Sequence, residues 1–256
     1  MSINSFSSVQ SILNKKAAVS APSTTPLIKY TFNGDLSNSG SAGSAYNGVN
    51  NNLTFTTSSP SPSTSVNNYS IYSTNGGTSS YQYFKIPAMS SIINTSKGVS
   101  VCFWFSGRGN TSGDGGMACF GAGSNGTQYA SAGGTPVTTL HCVTNGTQVT
   151  VNLSFSSKTK VVSYNTWHHL ALIMDIIGAT PKYSLYIDGV AIASNIAYDN
   201  SVDSYTYLPT FSDFWSIGAI INSHGWGQFL GAFADFRIYN LQLSSTQINS
   251  IYNNLL

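Results

Sequence analysis

Between the glycine- and asparagine-rich stretches of this 256-residue chain, apolar side chains recur at every second position, the period of a two-faced β-strand. The densest such stretch is residues 167–194, WHHLALIMDIIGATPKYSLYIDGVAIAS, which predicts three consecutive strands. In the first, Trp167, His169, Ala171 and Ile173 alternate with His168, Leu170, Leu172 and Met174. Both faces are largely apolar, so the strand is expected to be central and buried. The alternation sets His169 on its inner face beside Trp167, as a hydrogen-bonded core histidine rather than a catalytic base. The second strand, 183–187, meets the third, 190–194, across Asp188-Gly189. A type I′ turn needs positive φ at both central residues, and Asp-Gly supplies it, so the two are read as a tight antiparallel hairpin.

Other segments follow the same rule. Short strands are predicted at 53–57, 69–73, 140–143 and 149–155, and longer ones around 214–221 and 229–239. Residues 37–80, 107–116 and 121–134 are polar or glycine-rich connections between strands. Near the C-terminus, Ser244-Ser245-Thr246-Gln247 matches a capping box, and Ile248, Ile251, Tyr252 and Leu255 form one apolar helical face. Residues 1–26 differ in character: Phe6, Val9, Ile12 and Leu13 fall at helical spacing, followed by Lys15-Lys16 and an Ala/Ser/Pro-rich run. They read either as a disordered tail or as an arm whose apolar side docks on neighbouring subunits.

The ordered set of motifs resembles the laminin-G-like jelly rolls of the concanavalin-A-like lectin and glucanase superfamily. Lys29 to Leu36 (KYTFNGDL) is similar to its opening strand and turn, and Tyr46-Asn47-Gly48-Val49 to its next short segment. Tyr83 to Pro87 (YFKIP) and Val99 to Phe105 (VSVCFWF) resemble two further strands. Trp-x-His-x-Ala-x-Ile-x-Asp from Trp167 resembles the central one, and Gly231 to Asn240 (GAFADFRIYN) the closing one. The resemblance covers residues 27–256. It implies an all-β, antiparallel two-sheet jelly-roll sandwich with a short C-terminal helix, preceded by an extended N-terminal arm over 1–26. What such a family shares is a fold, not a function.

Composition bears on function mainly through what is missing. Only 7% of residues are charged, against about a quarter in an average domain, and the net charge is +2 with no basic cluster. Nucleic acid is therefore not expected as a partner. All eight acidic residues are aspartates. Glycosidases on the resembled fold use paired glutamates, and retaining hydrolysis needs two carboxyl groups about 5–5.5 Å apart. No aspartate pair has suitable spacing on a strand, so a non-enzyme is expected. Cys102, Cys119 and Cys142 are too few and too widely spaced for a zinc knuckle or a full disulfide framework. Cys102, in an apolar strand, reads as an inert small hydrophobe.

Two kinds of candidate site remain. The resemblance implies Ca²⁺ at the sandwich rim, with Asp35 after the first strand and Asp235 in the last as the positions to watch. The alternative is that Asp35 stabilises its turn and Asp235 pairs with Arg237 or a backbone amide. A carbohydrate site needs aromatic platforms flanked by polar groups, and Tyr205, Tyr207, Asn222, His224 and Trp226 are the loop residues able to supply one. The chain has neither a basic start followed by an apolar core nor a run of about 18 apolar residues. It is thus expected to be made without a secretory signal and to carry no membrane span. The first functional expectation is a structural or attachment component of a larger assembly, such as a virion or particle surface, joined to other subunits through the arm. The second is a lectin-like module that binds glycans.

Overall fold

The computed structural model describes residues 25–57, 70–72, 82–108, 115–119, 139–144, 148–153, 158–178, 180–197, 211–219 and 227–253. Almost all of the arm, residues 1–24, lies outside the described residues, as do Leu255 and the side chains of Cys119, His141 and Cys142. The strands in chain order are β1 (Ile28–Tyr30), β2 (Val49–Asn51), β3 (Thr54–Thr56), β4 (Ser70–Tyr72) and β5 (Tyr83–Ile86). Next come β6 (Val99–Gly107), β7 (Gly115–Cys119), β8 (Thr139–Thr144), β9 (Gln148–Leu153), β10 (Thr159–Ser163) and β11 (His168–Asp175). The chain continues with β12 (Lys182–Ile187), β13 (Val190–Ala197), β14 (Trp215–Ile217), β15 (Gly227–Gln228), β16 (Gly231–Tyr239) and α1 (Ser245–Tyr252).

These strands form two sheets, the layering expected of a jelly-roll sandwich. One runs β13-β12-β11-β6-β16-β4-β3, with β1 also on β16; the other runs β10-β9-β8-β7-β14-β5-β2, with β15 on β7. Among the described pairings only β15 with β7 is parallel. The central strand β11 lies between β6 and β12, as its two apolar faces require. Its inner face sends Leu170, Leu172 and Met174 into the core between the sheets. There they join Val99, Val101, Phe103 and Phe105 of β6 and Val149, Val151, Trp215 and Ile217 of the facing sheet. Edge-to-face rings cross the layers, with Phe84 of β5 standing 5.5 Å from Phe236 of β16.

The outer face of the first sheet is buried as well, under α1. Cys102, Ala171, Ile173 and Tyr239 pack there against Leu243, Ile248 and Ile251. This corrects the expectation for His169. It is buried on this outer face rather than between the sheets, with Trp104 at 5.3 Å and Tyr252 of α1 at 6.0 Å. Neither of its ring nitrogens has a hydrogen-bond partner among the described residues. Period two sorts residues into faces, but it does not say which face meets the other sheet when both are covered.

Two local devices hold α1 in place. Ser244 and Gln247 form the reciprocal capping box, with the Ser244 N–H donating to Gln247 Oε1 at 2.8 Å. The Ser100 hydroxyl donates to the Leu241 carbonyl (2.6 Å) and accepts from the Leu243 N–H (2.9 Å), tying the helix entry to β6. The strand β10, Thr-Lys-Val-Val-Ser, is absent from the sequence reading. It is an outer edge strand with four of its five residues exposed, so it lacks the apolar alternation that marks the others.

Candidate functional site

The β12–β13 turn adopts the conformation its sequence requires, with φ of +51° at Asp188 and +76° at Gly189. Gly189 is favoured for a second reason: a Cβ there would crowd the tip of the Asn249 side chain of α1, which would have to swing aside. The helix thus buttresses the turn, and the turn aims Asp188 back at β11. The pairing register Leu170 with Ile187, continued by one step, sets Asp188 opposite His169. Three hydrogen bonds fasten it there. The Asp188 N–H donates to the His169 carbonyl (2.8 Å), Oδ1 accepts from the His169 N–H (2.8 Å), and Oδ2 lies 2.7 Å from His168 Nδ1.

Burial of Asp188 pushes its carboxyl up. The hydrogen bonds from His168 and from the His169 backbone outweigh that and hold it below its ordinary value. An ionised Asp188 accepts a hydrogen bond from His168 Nδ1–H, and in the neutral tautomer this leaves the lone pair on Nε2. His168 Nε2 is buried and has no hydrogen-bond partner among the described residues. The side chain packs its other face on Phe105, with ring centroids 5.9 Å apart, at the end of the inter-sheet core.

His168 and Asp188 line a cleft of about 420 Å³. The other walls come from Gln148 of β9 and from Lys160, Val161, Val162 and Ser163 of β10. The edge of one sheet therefore faces the turn of the other across this space. Its lining combines an imidazole, a carboxylate, an amide, a hydroxyl and an ammonium with the exposed surface of Val161. Convergent polar groups beside a small apolar wall make a site suited to a ligand rich in hydroxyl groups.

The sequence-predicted site residues are not among the described residues that line this cleft. Tyr205, Tyr207, Asn222, His224 and Trp226 all lie outside the described residues. Asp35 is exposed in the turn after β1, where its carboxylate accepts from the Ser37 N–H and hydroxyl, each at 2.9 Å. Asp235 is buried at a bulge in β16 with φ of +47°. Asp235 and Arg237, two residues apart, meet on one side of the strand, where the guanidinium grips the carboxylate through Nε (2.8 Å) and Nη2 (2.6 Å). Among the described residues no three His, Cys, Asp or Glu side chains gather as a metal-ligand set. Cys102 is fully buried beneath α1, and burial pushes its thiol up to about 12, consistent with an inert side chain.

Gln148, Lys160 and Ser163 carry no motif, and sequence reasoning passed over them. Asp188 was read only as a turn residue. The one signal that could have found its contact with His168 is the hairpin itself. Counting back from the turn and pairing the preceding strand in register brings the two together.

Comparison with known proteins agrees with this architecture. A family model described as the concanavalin A-like lectin/glucanases superfamily matches residues 75–249, more than half of the chain. The chain belongs to that superfamily. Among solved structures, the botulinum neurotoxin type G receptor-binding domain superimposes with a TM-score of 0.51 at 14% identity, covering 90% of this chain and 51% of that one. A botulinum neurotoxin type C structure, titled for cell entry that depends on interaction with two ganglioside molecules, gives 0.55 at 14%, covering 91% and 51%. A mutant Trypanosoma rangeli sialidase displaying trans-sialidase activity gives 0.52 at 14%, covering 80% and 29%. The chain spans about half the length of the toxin domains and under a third of the sialidase, and at these identities the likeness is one of fold. No curated protein sequence matches the chain.

Proposed function

We propose that this chain is a non-catalytic carbohydrate-binding module that holds a saccharide in the cleft between β10 and the β12–β13 turn. The observation that carries the reading is His168 Nε2. It is an acceptor that Asp188 orients, buried and without a partner among the described residues, on a side chain that lines a polar cleft. A buried unsatisfied acceptor is costly, and a ligand hydroxyl donating to it removes that cost. Membership in a superfamily of lectins and glucanases supports the binding reading, and so does a neighbour's title naming gangliosides. The total lack of glutamate weighs against a glycosidase with a paired-glutamate site. No feature among the described residues favours a virion or other structural role over this one.

A glycan-array screen of the purified chain, run with calcium and with chelator, tests the proposal. Selective binding that His168→Ala abolishes supports the cleft. Binding that survives His168→Ala but is lost in Trp226→Ala moves the site to the loops. No binding to any glycan overturns the reading. Calcium dependence would give Asp35 or Asp235 a ligand role beyond the contacts described above.

A further inference from the structure

We propose that α1 is an acid-released cover: it lifts from the outer face of the first sheet when His169, buried beneath it against Trp104 and Tyr252, takes up a proton. The proposal is independent of the carbohydrate reading and follows from the geometry of the covered face. His169 stands in register with Trp104 of β6, and the two rings lie 5.3 Å apart. Tyr252, at the end of α1, closes over both, stacked on Trp104 at 5.6 Å and tilted towards His169 at 6.0 Å. Trp104 Nε1 and both ring nitrogens of His169 are buried with no hydrogen-bond partner among the described residues.

A positive charge placed there meets no group that can receive it. The helix, Ser-Thr-Gln-Ile-Asn-Ser-Ile-Tyr, carries no acidic or basic side chain. The charged groups that act on His169 are Asp235 and Arg237 of β16 and Asp188 of the β12–β13 turn. Asp235 is gripped by the Arg237 guanidinium, and the oxygens of Asp188 are engaged by His168 Nδ1 and the His169 N–H. Cys102 and Tyr239, on the same face, are kept neutral by burial, which pushes each up to about 12. Desolvation lowers the His169 pKa to about 4, whereas a ring opened to water titrates near 6.5. The closed form therefore binds the proton only near pH 4 and the open form from about pH 6.5 downwards, so acid favours the open form.

The packing lets the cover lift while the sandwich stays folded. Leu243, Ile248 and Ile251 form an apolar cluster with Cys102, Ala171, Ile173 and Tyr239 that is separate from the core between the sheets. A helix of eight residues is marginal without such packing, which places its opening below global unfolding. Ser100 pins the helix entry through Leu241 and Leu243, so the far end, with Tyr252, is the end that moves. The tip of Asn249 lies against Gly189, so lifting α1 also withdraws support from the turn that carries Asp188.

The test reads the exposure of the Cys102 thiol beneath the helix. The full chain is labelled with dithiodipyridine, which reacts with thiols in acid, and modification of Cys102 is followed by peptide mass spectrometry. Each rate is divided by that of the urea-unfolded chain at the same pH, which removes the intrinsic pH dependence of the reaction. Protection of Cys102 is expected to fall about fiftyfold from pH 7 to pH 4.5 in the wild type and to change little in His169→Phe. Hydrogen exchange of the wild type at pH 4.5, which needs no variant, should show α1 amides opening more readily than those of β6 and β16. Protection that does not change with pH, an equal fall in His169→Phe, or α1 opening only together with β6 and β16 overturns the proposal.

Discussion

His169 is sealed beneath α1 with both ring nitrogens unpartnered among the described residues, a position that only a neutral imidazole tolerates. Desolvation lowers its pKa to about 4. Asp235 and Asp188 act to raise it, and Arg237 to lower it further. The unfolded chain binds this proton below about pH 6.5 and the folded protein only near 4. Stability from this residue is therefore complete above about pH 6.5 and declines as the pH falls towards 4, by about 3 kcal/mol in all. Urea denaturation at pH 7 and pH 4.5 should show that decline in the wild type and a smaller one in His169→Phe; equal declines would refute the assignment. The Asp235–Arg237 pair is buried on the same face of the sheet. Arg237→Met is expected to cost about 3–5 kcal/mol, because it strands a buried carboxylate. Asp235→Asn/Arg237→Met should recover part of that loss in the same assay. At this scale the burial of His169 was legible in its alternation. Its face was not, because the helix that covers it lies more than seventy residues further along.

Elements whose signals are local were legible almost residue by residue. The Asp-Gly turn and the Ser244/Gln247 box are each set by the positive-φ or capping chemistry of a few adjacent side chains. Ser244→Ala removes a cap and is expected to destabilise the protein by about 1 kcal/mol in thermal or denaturant unfolding. Gly189→Ala is expected to cost more than this, since it combines positive-φ strain with crowding of the Asn249 side chain. Because the helix buttresses the turn that carries Asp188, Gly189→Ala should also weaken glycan binding, whereas Ser244→Ala, remote from the turn, should leave it unchanged. A strand such as β10 hides from sequence reasoning for the opposite reason. As an outer edge it buries little, and lysine at an edge guards against pairing with other chains while leaving no alternating pattern.

The whole molecule was legible as a sandwich because the strands come in an ordered series, each with its own pattern. The cleft was not, because its walls come from β9, β10, β11 and the β12–β13 turn and exist only once the two sheets have closed on each other. The aromatic loop residues read from the sequence drew on the same chemistry of sugar recognition, but abundance of Tyr and Asn made such combinations easy to find, and they fall outside the described residues. The central claim is that His168, oriented by Asp188, receives a ligand hydroxyl in this cleft. Nitrogen-detected NMR of the imidazoles tests it directly, by titrating ¹⁵N-histidine-labelled protein with the strongest glycan from the array. The account predicts a saturable shift of His168 Nε2, with His169 nearly unmoved beneath its helix and the effect lost in Asp188→Asn. A His168 resonance that stays fixed while the protein binds that glycan would place the site elsewhere and contradict the account.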